Sequence, residues 1–470
     1  MKPKLFAAGL AGIVLAAGLA QAFEIASDQQ IDGASPQIVG VGDGNTVTPS
    51  GAAPNWTYNW ADRDGDGSSN AVAAAGLELG AFKLFAAVTD SSRGVLTLDL
   101  NGGDMVGSDG VAIITSPGVG SGRHSHHLTI RNVRDIAIGE ILTYARGTSG
   151  AASGNVDAGN LTIGSEEVPA RHVRIASIHT GDHTTGTRSS QRRGNIVVHA
   201  TGNVLIEDAE GNPGTIRTHA DAEPNIGGGY ADPGHVAIAH DGDFRIKDFI
   251  GHMSTYSARK NPAVIVLDGG SQAGDCVIRD IDNRHYATGY GSTGRGLVDI
   301  RNYANVFIRN IDSSHPFTDN RMGGHVEITD IAGNIEIAGT IDCSSGHSDV
   351  ERNYGHLKLT ATGTITLAEL NMDKVLFASF SSGSGRSMIE GELLNFDAAG
   401  SGAGTLLEPV VTTQTALRVP NGQRLLYKVR DDANAGLEGK VYRIANASGQ
   451  AGQGGLLMPI PTRGTVLLFF

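Results

Sequence analysis

The chain has 470 residues, a formal net charge of −13, 66 glycines, two cysteines and 5% aromatic residues. The negative charge is spread along the chain, which excludes nucleic acid and anionic membrane surfaces as main partners, because both call for basic patches. No helical apolar period persists beyond the first segment, which argues against a helical globule.

Residues 1–22 read as a signal peptide: Lys2 and Lys4 start it, Leu5 to Leu19 is apolar, and Ala20-Gln21-Ala22 offers a cleavage site. The expectation is an exported protein, secreted, at the cell surface or periplasmic, with Phe23 as the first mature residue and no membrane span after cleavage. Residues 23–93 are loop-rich and are expected to cap a solenoid, whose open end would expose strand edges. Within them Asp62, Asp64 and Asp66, followed by Gly67, match the start of a calcium loop, where alternate carboxylates converge and glycine permits the turn. The twelfth position is Ala73 rather than a bidentate Glu, so a calcium-bound loop stands beside an ordinary solvated turn. Calcium is the one cofactor the sequence suggests.

From 94 to 388 a short apolar-x-apolar motif, usually preceded by Asn, Asp or His, recurs twice per unit. First copies include His127-Leu-Thr-Ile130, Asn160-Leu-Thr-Ile163 and His325-Val-Glu-Ile328; second copies include His172-Val-Arg-Ile175, Asp275-Cys-Val-Ile278 and Asn305-Val-Phe-Ile308. Eight units are visible, with successive first copies 28 to 40 residues apart. Alternation puts the second and fourth motif residues on one apolar face. A third apolar position follows most second copies, as at Ile281 and Ile311. Each unit therefore has short strands, tight corners and one long excursion, as in a coil whose strands pair with their equivalents one turn later. By this register Cys276 and Cys343 lie two coils apart, so two buried thiols are expected rather than a disulfide.

This pattern resembles the pectin-lyase-like superfamily of right-handed parallel β-helices over about Gly94 to Leu370. The implied fold class is all-β: a right-handed parallel β-helix solenoid with an N-terminal cap and a small C-terminal antiparallel β module. The module, 389–470, reads as a cap or attachment unit with antiparallel strands at Leu417–Val419, Leu425–Val429 and Val441–Ile444.

The long connections leave one corner, so they should build one face of the rod. Asp282, His285, Asp312 and His315 recur there at matching offsets and are the candidate catalytic set; Tyr256, Arg284, Tyr286, Tyr290 and Arg295 are the candidate glycan-binding set. Carbohydrate-active relatives of this shape use paired carboxylates, or a base with cationic neutralisers. The competing reading is a ladder of stacked polar residues. Asp282, Asp312 and Asp342 would then repel one another, a strain relieved by a bound cation or a raised pKa. The leading expectation is a structural or adhesin-like protein that binds a polysaccharide or cell-surface glycan. The alternative is a polysaccharide lyase or glycoside hydrolase acting on the long-loop face.

Overall fold

The computed structural model describes most of 94–371, apart from the long connections 116–124, 144–156, 182–190, 219–230, 251–262, 285–295, 315–323 and 344–354, together with short stretches in 23–86 and 375–459. The described residues form an all-β parallel solenoid without a helix. None of them forms a helix long and apolar enough to cross a membrane.

The first copies build one parallel sheet. Its order runs through His127–Arg131, Leu161–Ile163, Ile196–His199, Val236–Ala239, Val264–Asp268, Leu297–Arg301, His325–Ile331 and Gly355–Ala361. Register is kept from coil to coil: Leu128 pairs with Leu161, Leu161 with Ile196, Ile196 with Val236, and so on to Leu357. These residues and their partners two positions on are all buried. The ladder also extends beyond the eight units, to Val95–Asp99 and Trp56–Asn59 on one side and to Val375–Ser382 and Ala416–Arg418 on the other.

The second copies build a second parallel stack in which Ile136, Val173, Val204, Phe244, Cys276, Val306, Ile335 and Ile365 succeed one another in register. Cys276 and Cys343 are free and fully buried, as expected, and burial pushes both thiols up.

One coil departs from the repeat. After Ile206 the position expected to be apolar is Ala209, because Glu207–Gly214 is an inserted turn whose Asp208 carboxylate accepts from the Asn212 backbone and side chain at 2.8 Å. The core position is filled instead by Ile216, in register between Ile178 and Phe249.

The residue ahead of each motif has a structural role. Asn160 N–H donates to His127 Nδ1, Asn195 N–H to Asn160 Oδ1 and His235 N–H to Asn195 Oδ1, each at 2.9 Å. The second stack repeats the device: Asn203 N–H donates to His172 Nδ1, Asp243 N–H to Asn203 Oδ1, and Asp275 N–H to Asp243 Oδ1, each at 3.0 Å. Asn, Asp and His share an acceptor at the δ1 position, so any of the three caps the backbone donor of the next coil at a corner where the ladder is interrupted.

At the C-terminal end Arg424–Asp431 pairs antiparallel with Val441–Ala445, which pairs antiparallel with Leu456–Pro459. The strand read as antiparallel at Leu417–Val419 is a correction: Ala416–Arg418 pairs in parallel with Phe377–Ser379. The edge of the preceding coil offers unpaired N–H and C=O groups, and the next strand takes them.

Candidate functional site

Every long connection leaves after the last residues of a second-stack strand and returns just before the next first-sheet strand. Three of these necks are closed by the same pair of hydrogen bonds. Thr115, Thr143 and Thr180 donate Oγ1–H to the carbonyls of His126, Gly159 and Gly194 at 2.8, 2.6 and 2.7 Å, and the same three return residues donate N–H to the threonine carbonyls at 3.2, 2.8 and 2.9 Å. The threonines are fully buried. Glycine is required at two of the return positions, because a Cβ at Gly159 or Gly194 would lie 1.8 Å from the carbonyl oxygen of the coil before.

The interior file continues through Thr218, Asn283, Ser313 and Cys343, all buried. Its closure weakens along the rod. Asn283 Nδ2 reaches the carbonyls of Ala263 and Leu297 at 3.4 Å, while Thr218 Oγ1, Asn283 Oδ1 and Ser313 Oγ lack hydrogen-bond partners among the described residues. Pattern reading did not single out this file; the signal was there in Ile113-Ile114-Thr115, Ile141-Leu142-Thr143 and Ile178-His179-Thr180.

Of the candidate catalytic residues, Asp282 and Asp312 are described, and they are neighbours in register, with Asp342 next. They turn outward beside the interior file. Arg284 Nε donates to Asp282 Oδ1 at 2.8 Å and lies 3.5 Å from Asp312 Oδ2. Asp312 Oδ1 also accepts from Ser314 N–H at 3.1 Å and Ser314 Oγ–H at 2.7 Å. Burial holds the Asp312 carboxyl above the usual range, Asp342 pushes it further up, and Ser314 and Arg284 pull it down. The anticipated repulsion is thus met by a guanidinium and a raised pKa. His285, His315, Tyr256, Tyr286, Tyr290, Arg295 and the calcium candidates Asp62, Asp64 and Asp66 lie outside the described residues. Among the described residues no three His, Cys, Asp or Glu side chains converge as metal ligands.

A second charged group stands on the outer face of the first sheet. Asp299, Glu327 and Lys358 are successive in register; Arg301 Nη1 lies 3.4 Å from Asp299, and His325 Nε2 and Lys358 Nζ lie 2.7 and 3.7 Å from Glu327. Burial raises the Asp299 carboxyl and Glu327 and Asp268 add to it, against Arg301 and Lys358. Inter-coil ion pairs also run along the second stack: Arg279 to Asp248, Arg309 to Asp280, Arg171 to Asp135 and Arg134 to Asp104. Each of these arginines is 41–52% exposed, so solvent screening leaves each pair a weak contributor to stability. Their common effect is to neutralise charge between coils. No protein-family model matches the chain, and no curated protein or solved structure does either.

Proposed function

We propose that this protein is an exported structural or adhesin-like β-solenoid whose long connections present one face to a polysaccharide or cell-surface glycan. The observation that carries this reading is the single file of necks, which brings successive connections out along one edge of the rod. The self-paired Asp282, Arg284 and Asp312 favour a scaffold over a charged cleft. Parallel crossovers are right-handed in nearly all known cases, which supports the right-handed sense and, with the coil pattern, the pectin-lyase-like likeness. Export rests on the first twenty-two residues.

A second reading, a polysaccharide lyase or glycoside hydrolase, rests on Asp312, a carboxyl with raised pKa beside a second carboxylate and a guanidinium, as acid–base chemistry requires. One experiment separates the two. Purified mature protein is incubated with insoluble neutral and acidic polysaccharides, and depletion from solution, unsaturated products and new reducing ends are measured. Binding without products supports the scaffold. Products that disappear on Asp312→Asn or His285→Ala favour the enzyme. Absence of both binding and products refutes the glycan reading.

A further inference from the structure

Inside the rod one polar pair stands apart from the ladders. His240 and Tyr303 are 3% and 1% exposed, and His240 Nε2 lies 2.8 Å from the Tyr303 hydroxyl. Ala239 pairs with Asp268 and Asp268 with Arg301, so the two rings belong to coils separated by a whole coil. The intervening coil has Gly269-Gly270 at that corner; Gly270 adopts φ +66°, and a Cβ there would lie 2.1 Å from Asp241 Oδ1. The rings are packed at 5.4 Å between centroids, and Phe244 lies 5.8 Å from the imidazole on its other contact.

Gly242 N–H donates to His240 Nδ1 at 3.3 Å, which leaves Nε2 to carry the proton and donate to Tyr303 Oη. The backbone closes the same three coils: His240 N–H donates to Asp268 O and Gly269 N–H to Arg301 O, both at 2.9 Å. The groups facing the imidazole are the carboxylates of Asp241, Asp243 and Asp268 and the carbonyl of Gly202, all of which favour a proton, and the Tyr303 hydroxyl. The Cys276 thiol lies beside Tyr303. Burial outweighs the four groups that favour protonation and lowers the imidazole to about 4.

We propose that His240 and Tyr303 form a latch that ties three successive coils together and loosens in acid, when a second proton on Nδ1 takes the acceptor from Gly242 N–H and leaves a charge buried at the pair. The sign follows from the lower folded-state pKa. On unfolding the imidazole returns to about 6.5, so the unfolded state takes up the proton first. The contribution is complete above pH 6.5, is lost as pH falls from 6.5 to 4, and does not change further below that.

The test is hydrogen exchange of the full mature chain at pH 7, 5.5 and 4, corrected for the intrinsic pH dependence of exchange, read at the amides of His240, Gly242 and Gly269. In the wild type, protection at these amides should fall roughly a hundredfold between pH 7 and 4. In His240→Gln, which can still donate to Tyr303 but does not titrate, it should stay level. An equal acid loss in His240→Gln overturns the proposal. Should that variant fail to fold, the wild-type imidazole titration followed by NMR decides: a midpoint near 4 upholds the latch, and one near 6.5 with unchanged protection overturns it.

Discussion

Thr180 and Thr218 occupy the same interior file, one coil apart, and replacing each with valine should have opposite effects. Valine keeps the β-branch and the volume, so only the hydroxyl changes. At Thr180 the hydroxyl donates to the Gly194 carbonyl at 2.7 Å, both residues are buried, and no other donor reaches that carbonyl among the described residues. Thr180→Val deletes that bond and leaves the carbonyl unpaired, a loss of about 1–3 kcal/mol that the buried methyl offsets by about 0.8 kcal/mol. A net destabilisation of about 0.2–2 kcal/mol is expected. Thr218 is equally buried but its hydroxyl has no partner among the described residues. Thr218→Val therefore removes a buried unsatisfied group and should be neutral or stabilise by about 1 kcal/mol. Equilibrium urea unfolding of both variants, with hydrogen exchange at Gly194 N–H as the local reading, measures the difference. Equal losses in the two variants, or a harmless Thr180→Val, would refute the role of the neck hydrogen bonds.

Three further substitutions probe other parts of the rod. Gly194→Ala forces a Cβ to 1.8 Å from the Gly159 carbonyl and should cost more than about 4 kcal/mol, whereas Gly296→Ala, with nothing nearer than 3.4 Å, should be tolerated; parallel thermal melts compare them. Asn305→Ala strips the Asn334 N–H of its acceptor and Asp275 of a donor; since solvent reaches the first of these bonds, the cost in urea unfolding should be about 0.5–1.5 kcal/mol. Arg284→Ala should change stability by less than about 1 kcal/mol, since Arg284 is 35% exposed, yet raise the Asp312 carboxyl further; an NMR titration of Asp312 that does not move would remove Arg284 as the source of relief.

The core was legible because alternation is a local property: Leu128 and Ile130, or Val306 and Ile308, declare a buried face within four residues. The ladder residues were legible as a pattern but not as a device. Asn160 and Asn203 stand out before each motif, yet what they accept is an N–H more than thirty residues away, and only coil register identifies it. The inserted turn at Glu207–Gly214 hid Ile216 for the same reason. The site suffered most. Arg284 reads as a neutraliser for an acidic sugar, and its position two residues from Asp282 is plain, but spacing does not fix where a long side chain points. It points to Asp282 and Asp312.

The necks explain why fold and ligand are so unequally written in this chain. Thr115, Thr143 and Thr180 close connections whose ends are 11, 16 and 14 residues apart with nearly the same hydrogen-bond length. Closing a longer loop adds little cost, since the entropy grows only with the logarithm of its length. Neck closure therefore sets little limit on the length of a connection. The repeated strands must satisfy register, alternation and the corner acceptors, and so they carry the fold in a pattern open to reading. Three of the necks add a buried hydroxyl, and two of those a glycine, to what the chain must satisfy. On the proposed glycan-binding reading, recognition would lie in side chains that no repeat constrains. A change inside a connection should alter binding with little effect on stability, while a change at a neck should do the reverse.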